Sequence, residues 1–453
     1  MTTQFINVDR DTPYLFPPSV QDYLPENHLA RFVVDIVEQL DVTHLSSVYS
    51  GKGSRPYHPS MMLALLFYGY ASGTFSSRKL EQSTYDSIAY RYLCANTHPD
   101  HDSINAFRKR FLTELKGLFV DILVLAKTMG TLKLGTISLD GTKIKANASK
   151  HKALSWKYAN QLESQLQNEV DELMQLAQQA DNSVLPETLD IPAELERRES
   201  RLQAIAWAKQ EIEARASVRY EKELAEYKAK QDKRARHEEK TGKKPRGKLP
   251  KPPEAGPKDK DQVNLTDEQS RIMPSSSGGF EQSYNAQASV DIESGLIITN
   301  HVTQHTNDKQ EVVPTLEQLQ QQQVSLGKID NLLADAGYLS EQNINASDKA
   351  QITPYISTHR ERHNPALLDR FAVQLDNPPE TADPVEAMKH RLGTKEGKAL
   401  YGKRKSTIEP AFGIIKHVLG FRQFLLRGVD AVNGEWDLVC IGYNMKKMFA
   451  LSA

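Results

Sequence analysis

The segment Ile329-Asp330-Asn331-Leu332-Leu333-Ala334-Asp335-Ala336-Gly337-Tyr338 limits the fold more than any other stretch of this chain. Its apolar residues run on without alternation and stop at an acid, where a glycine turn follows. A strand that is apolar on both sides must be covered on both faces, and helices on either side of a sheet supply that cover. The chain is therefore read as α/β around this strand. Residues Thr136 to Ala146 supply a second strand, apolar at 137 and 139 and again at 144 and 146. That strand is expected to end at Asp140. Asp140-Gly141 is also a hairpin signal, so Asp140 reads equally as a turn former. Tyr284 to Ile292 alternates, Glu293-Ser294-Gly295 turns, and Leu296 to Val302 returns, which predicts a hairpin. Val312 to Leu319 reads as a helix and Ile352 to Ser357 as a further short strand, with 360–400 polar and loop-rich.

Around these strands the period is helical. Residues 1–130 read as a helical domain. It has a buried helix at Pro59, Met61, Met62, Leu65, Leu66 and Tyr68, a second from Arg78 to Leu93, and a third from Ile104 through Leu115. The third carries Arg108, Lys109 and Arg110 on its polar face. Two helices joined by a turn, the second basic, suit a DNA reader; the same pattern suits a solvated face of an ordinary bundle. After the first strand region, 131–149, stripes at Leu162, Leu166, Val170, Leu173 and Leu176, then Leu195, Leu202, Ile205 and Ile212, predict an inserted helical hairpin over 150–227. Pro186 and Pro192 bracket its break, and Asp190 is placed to cap the second helix. From Lys228 to Lys260 thirteen Lys/Arg face five Asp/Glu among several prolines, with no apolar pattern. Within 228–279 this predicts a basic linker, either simply solvated or able to neutralise phosphates without regard to sequence. Residues 280–453 complete the α/β part, with helices from 405 and from about Asp430.

Bulk properties remove several classes. A net charge of −1 gives no overall pull toward nucleic acid, so any basic surface must be local. Cys94 and Cys440 show no pairing pattern, which suits a reducing compartment and no zinc site. The longest apolar run, Met61 to Tyr70, is too short for a bilayer, and the N-terminus carries acids where a signal peptide carries bases. A cytoplasmic protein with no membrane partner is expected.

The chemistry concentrates in Tyr401 to Lys416. Ile408, Phe412 and Ile415 recur at helical spacing, and Glu409 and Lys416 stand seven apart. Ser406-x-x-Glu409 also matches a capping box. Taken with Asp140 and Asp335, Glu409 makes a third carboxylate near strand ends. Three carboxylates suit hard cations such as Mg²⁺, and two such ions clamp the attacking and leaving oxygens of a phosphoryl displacement.

At this point the chain resembles the DDE transposases of bacterial insertion sequences. The resemblance rests on four motifs. These are Leu139-Asp140-Gly141-Thr142-Lys143, Gly278-Gly279-Phe280-x-Gln282-x-Tyr284-Asn285-Ala286-Gln287, Ala334-Asp335-Ala336-Gly337-Tyr338, and Tyr401-x-x-Arg404 followed by Glu409 and Lys416. The last is similar to the family's Tyr-x-x-Arg-x-x-x-Glu-x-x-x-x-x-x-Lys pattern, with one extra residue between Arg404 and Glu409, so either Arg404 or Lys405 takes the arginine's place. Ser77 to Leu80 and Pro99 to Ile104 are similar to the family's N-terminal domain. The resemblance implies an RNase H-like mixed sheet flanked by helices, joined to an all-α N-terminal domain and carrying the helical-hairpin insertion already read from the stripes. It implies that Asp140, Asp335 and Glu409 are catalytic and hold Mg²⁺, two ions on the reading above, with Mn²⁺ able to substitute. Tyr401, Arg404 and Lys416 would contact DNA phosphate. The expected partners are the element's terminal inverted repeats and target DNA, engaged by a homodimer at the nucleoid. A non-catalytic DNA-binding protein, such as a repressor, and a purely hydrolytic nuclease are the competing functions.

Overall fold

The computed structural model describes residues 19–49, 55–179, 190–243, 247–275, 278–358 and 383–452. Two compact units result: residues 1–145 with 284–453, and residues 146–283. The expectations for the N-terminus, Pro186 and Pro245 lie outside the described residues.

The first unit is built on a sheet. Its strands are β1 (Thr136–Lys145), the bulk of β5 (Phe280–Asp291), β6 (Ile297–Thr303), β7 (Asn331–Ala334) and β8 (Thr353–Ile356). The order is β6-β5-β1-β7-β8. β5 and β6 form the expected antiparallel hairpin, while β7 runs parallel to both β1 and β8. Leu332, Leu333 and Ala334 are fully buried, as an unalternating apolar run requires. β1 does not end at Asp140. It continues to Lys145, so the acid sits inside the strand. A tight hairpin at Asp140-Gly141 needs a positive φ, and Gly141 does not adopt one.

The sheet is covered by the helix Val429–Ser452, which also packs on the helix Pro59–Ala71. A Cβ at Gly442 would meet the Ala71 backbone nitrogen at 2.8 Å, so the absence of a side chain lets these two helices approach closely. The same C-terminal helix finishes the outer edge of β6. Asn444 accepts from the Ile297 N–H and donates to its carbonyl, both at 2.8 Å, and Asn433 accepts from the Val302 N–H at 2.7 Å.

Further expectations change in this unit, among them the helix read from Ile104 through Leu115, which stops at Arg110. The segment 78–93 is two helices, Ser77–Asp86 and Ile88–Leu93, because Ser87 is extended between them. The described end of the polar stretch is helical, Pro384–Gly393, started by Asp383, which accepts from two backbone N–H groups. The helix carrying Glu409 begins at Lys395, capped by Thr394, so Glu409 is interior to it. The Ser406 hydroxyl donates to the Lys403 carbonyl, and no capping box forms there.

The second unit pairs the helices Trp156–Gln179 and Ile191–Thr241 over a small core of Leu154, Ala159, Leu166, Ile205, Ala208, Ile212 and Val263. Asp190 caps the second helix through the Ala193 N–H at 3.1 Å. Strand β2 (Ala153–Ser155) pairs with β3 (Gln262–Asn264), and β4 (Arg271–Pro274) pairs with residues 280–283 of β5. The basic stretch expected to be a linker is helical up to Thr241. Lysine, arginine, glutamate and alanine are good helix formers, and a helix needs no core to continue once nucleated. Gly242, in the left-handed conformation, stops it.

Candidate active site

Every group of the candidate site belongs to the first unit. Asp140 projects from the middle of β1, and Asp335 follows the last residue of β7. Since β7 is β1's parallel neighbour, the two acids come from adjacent strands. Asp335 is held by its own turn, accepting from the Gly337 N–H at 2.7 Å. Arg404, on the same helix as Glu409, places its Nη1 3.3 Å from Asp140 Oδ2 and its Nη2 3.9 Å from Glu409 Oε1. The arginine side chain is 8% exposed and the Glu409 side chain 56%. Burial alone would lower the Arg404 pKa. The Tyr401, Asp140, Asp335 and Glu409 oxygens around it hold it above its ordinary value instead. The guanidinium is thus the common counter-charge of all three predicted acids. Its Nε is buried and has no hydrogen-bond partner among the described residues.

Asp140 is under strain of a different kind. Burial pushes its carboxyl up to about 6. The Gly141 N–H and Arg404 pull it back, while Asp335 and a further acid, Asp308, add to the rise. Arg404 therefore does not fully compensate the desolvation of this carboxylate.

Asp308 was not anticipated. Its Oδ1 accepts from Asn285 Nδ2 at 2.6 Å and Gln287 Nε2 at 2.8 Å, and lies 3.5 Å from Lys143 Nζ. Asn285, Gln287, Ser289 and Asp291 fall on one face of β5, and all are buried. In sequence that run of polar residues shows only as alternation. It is a buried polar face that aims amides at an acid. Tyr338 donates to Gln287 Oε1 at 2.5 Å, which ties the Asp335 turn to the same network. Asn343 donates to both the Lys309 and Tyr338 carbonyls at 2.7 Å, clamping the Asp308 and Asp335 loops to each other. Glu311, 2% exposed, holds His301 and His305 at 2.8 and 2.7 Å and anchors the Asp308 loop from behind. Gly141 has to be glycine here: a Cβ would come within 2.6 Å of Asp308 Oδ1 and 2.9 Å of Asn285 Oδ1.

Lys416 lies in a π-helical turn, Ile414–Val418, so its seven-residue offset from Glu409 is not two α-turns. Its Nζ donates to the Lys143 carbonyl at 3.0 Å. Burial lowers the Lys416 pKa, and the Lys143 ammonium lowers it further. Tyr401 is half-buried on the Arg404 helix.

The expected basic face of the N-terminal unit is only partly present. Arg108 is buried, donating to the Tyr70 hydroxyl at 3.2 Å, the Phe75 carbonyl and Asn105. Tyr70 is in turn 3.5 Å from the buried Glu435. Arg108 thus serves a polar network inside the unit and offers DNA no surface. Lys109 and Arg110 are exposed, and the Arg110 guanidinium lies over Tyr49 and donates to the Val48 carbonyl at 3.1 Å.

The donor set near Arg404 is all oxygen, as a hard divalent cation requires, and the uncompensated charge at Asp140 is of the sign a cation relieves. Among the described residues no three acids or imidazoles already surround one point closely enough to hold an ion. Glu409 reaches toward Arg404, with its side chain more than half exposed. By chemistry the residues fit a divalent metal. No helix among the described residues is long and apolar enough to cross a membrane.

Two family models match the chain. One, described as a transposase domain (DUF772), covers residues 18–110. The other, described as a transposase DDE domain, covers residues 216–445, just over half of the chain, and contains Asp335 and Glu409 but begins after Asp140. No curated protein and no solved structure matches.

Proposed function

Because the chain belongs to the transposase DDE domain family, we propose that it cuts the ends of its own insertion sequence and joins them to target DNA, with Asp140, Asp335 and Glu409 as the catalytic acids. The observation that supports this most directly is that Asp140 and Glu409 share one guanidinium, that of Arg404, which also feels the charge of Asp335 at the end of the neighbouring strand. The sheet order β6-β5-β1-β7-β8, with a hairpin on one side and parallel strands on the other, supports an RNase H-like reading of the core.

Asp140, Asp335 and Glu409 would hold two Mg²⁺ ions, or Mn²⁺ in their place. When bound, these ions supply charge for the phosphoryl displacement and acidify an attacking water or hydroxyl. The chain's own groups bind and orient the DNA. Lys416 would present a point charge to phosphate beside Tyr401, and Arg404, whose Nη atoms are held by Asp140 and Glu409, would reach phosphate only as those acids are drawn away by DNA and metal. In the first step a water oxygen bonds to phosphorus and the bond to the 3′ oxygen at the element end breaks, leaving a 3′-OH. In the second step that hydroxyl attacks a target phosphodiester, so one P–O bond replaces another and no redox cofactor is needed. Buried Asn285, Gln287, Tyr338 and Asn343 keep the Asp308 and Asp335 segments fixed to one another, so little reorganisation is needed on reaction. Lys109 and Arg110 would contribute non-specific backbone contacts. Two element ends handled together call for a homodimer on DNA.

The test uses a duplex taken from the DNA that flanks the coding sequence. Asp335→Asn is expected to abolish Mg²⁺-dependent cleavage and to leave binding largely intact. Full cleavage by that variant would remove Asp335 from the reaction. Pre-cut ends mixed with a target plasmid should yield joined product. Hydrolysis without joining would make the protein a nuclease, and binding with neither would make it a repressor.

A further inference from the structure

Lys143 is the residue of the site with the least satisfied chemistry. It stands on β1 three positions beyond Asp140. Its Nζ is buried and has no hydrogen-bond partner among the described residues. The nearest anion, Asp308 Oδ1, is 3.5 Å away and already accepts the Asn285 and Gln287 amides at 2.6 and 2.8 Å. A carboxylate oxygen offers two good acceptor directions, so both are taken. An ammonium carries three donors, and burying them without acceptors is costly. A second ammonium, that of Lys416, donates to the Lys143 carbonyl at 3.0 Å and is near enough to the Lys143 ammonium for the two to repel. Two repelling cations beside a row of acids form a site that is incomplete without a small anion rich in acceptor oxygens. A DNA phosphodiester has that chemistry.

We propose that Lys143 is a phosphate-binding residue, taking a backbone phosphate of the DNA end together with Lys416. Asp308 then serves to hold the Lys143 ammonium in place until DNA arrives. The inference rests on the reading of the site as one that acts on DNA, and goes beyond it by adding a contact from β1 itself.

The experiment measures binding of the full chain to the flanking-DNA duplex across a salt series, with wild type, Lys143→Gln, Lys143→Arg and Asp308→Asn. Loss of one phosphate contact reduces the slope of log K against log salt by about 0.9. Lys143→Gln is expected to show that reduction and weaker binding, whereas Lys143→Arg keeps the wild-type slope. A purely structural lysine predicts something else: Asp308→Asn and Lys143→Gln would alter the melting temperature alike, and neither would move the slope. An unchanged slope for Lys143→Gln in a variant that still melts cooperatively overturns the proposal. If the glutamine variant does not fold, Lys143→Met, which keeps the stem without the charge, provides the same comparison. A wild type that binds the duplex yet never cleaves it with Mg²⁺ or Mn²⁺ defeats the catalytic reading alone, and the slopes still decide the role of Lys143.

Discussion

Replacing Asp140 by asparagine should make the metal-free protein more stable at neutral pH while destroying its activity. Burial raises the Asp140 carboxyl from its ordinary 3.8 to about 6, against the pull of Arg404 at 3.3 Å. Its side chain is 21% exposed, so solvent screens the effect only in part. A group whose folded pKa is raised keeps its proton in the folded state after the unfolded chain has lost it. Stability therefore falls as pH rises from about 4 to about 6, and remains lower above that window. The rise is about two pKa units, or about 3 kcal/mol. Asparagine resembles the protonated acid in shape and charge. Asp140→Asn should thus gain about 3 kcal/mol at pH 7.5, roughly half of that at pH 5, and nothing in stronger acid. Urea unfolding in chelator, at pH 5 and 7.5, reads the difference between variants directly. Adding Mg²⁺ should narrow the gap, because wild type gains the charge it lacks and the asparagine variant gains less. Equal or lower stability of the variant at pH 7.5 would mean that the arginine outweighs burial, and the account of an uncompensated site charge would be wrong.

Two further outcomes test the scaffold around the acids. Gly141→Ala puts a methyl among atoms already engaged with one another, and overpacking of this kind costs about 1–3 kcal/mol. Its cleavage rate should fall more than tenfold with DNA binding retained, and wild-type cleavage would show that the Asp308 cluster can yield without harm. Asn343→Ala orphans two carbonyls at a buried position and should cost about 2 kcal/mol or more. Hydrogen exchange should then quicken in both 305–311 and 335–339; quickening in only one of them would refute the clamp.

Some of this was legible in the chain and some was not, for physical reasons. The unalternating apolar run before Asp335 announces a central strand because only full burial permits it, and the β5–β6 hairpin follows from its turn residues. Asp140-Gly141 signals a strand end because Asp-Gly is a local turn signal, and that signal yields where tertiary contacts surround the residue and β1 runs on to Lys145. Arg108 was assigned to an exposed face because periodicity sees charge and not partners. Its partner Tyr70 is 38 residues away in sequence and Glu435 farther still. Asp308 sits in a polar stretch and Lys143 inside a motif with no role of its own, because the meaning of both depends on groups from other strands and loops. The helix beyond residue 228 was hidden by its charge, because composition that forbids a core does not forbid a helix.

The edge of β6 carries one more consequence. Its free N–H and C=O groups are met by Asn433 and Asn444, on the helix that ends the described chain. A chain emerging from the ribosome folds from its N-terminal side. Until those two asparagines have emerged, the sheet has an open edge able to pair with any extended strand nearby. Sheet closure and docking of the last helix thus become one event, and a nascent chain stalled before residue 444 is a sticky intermediate.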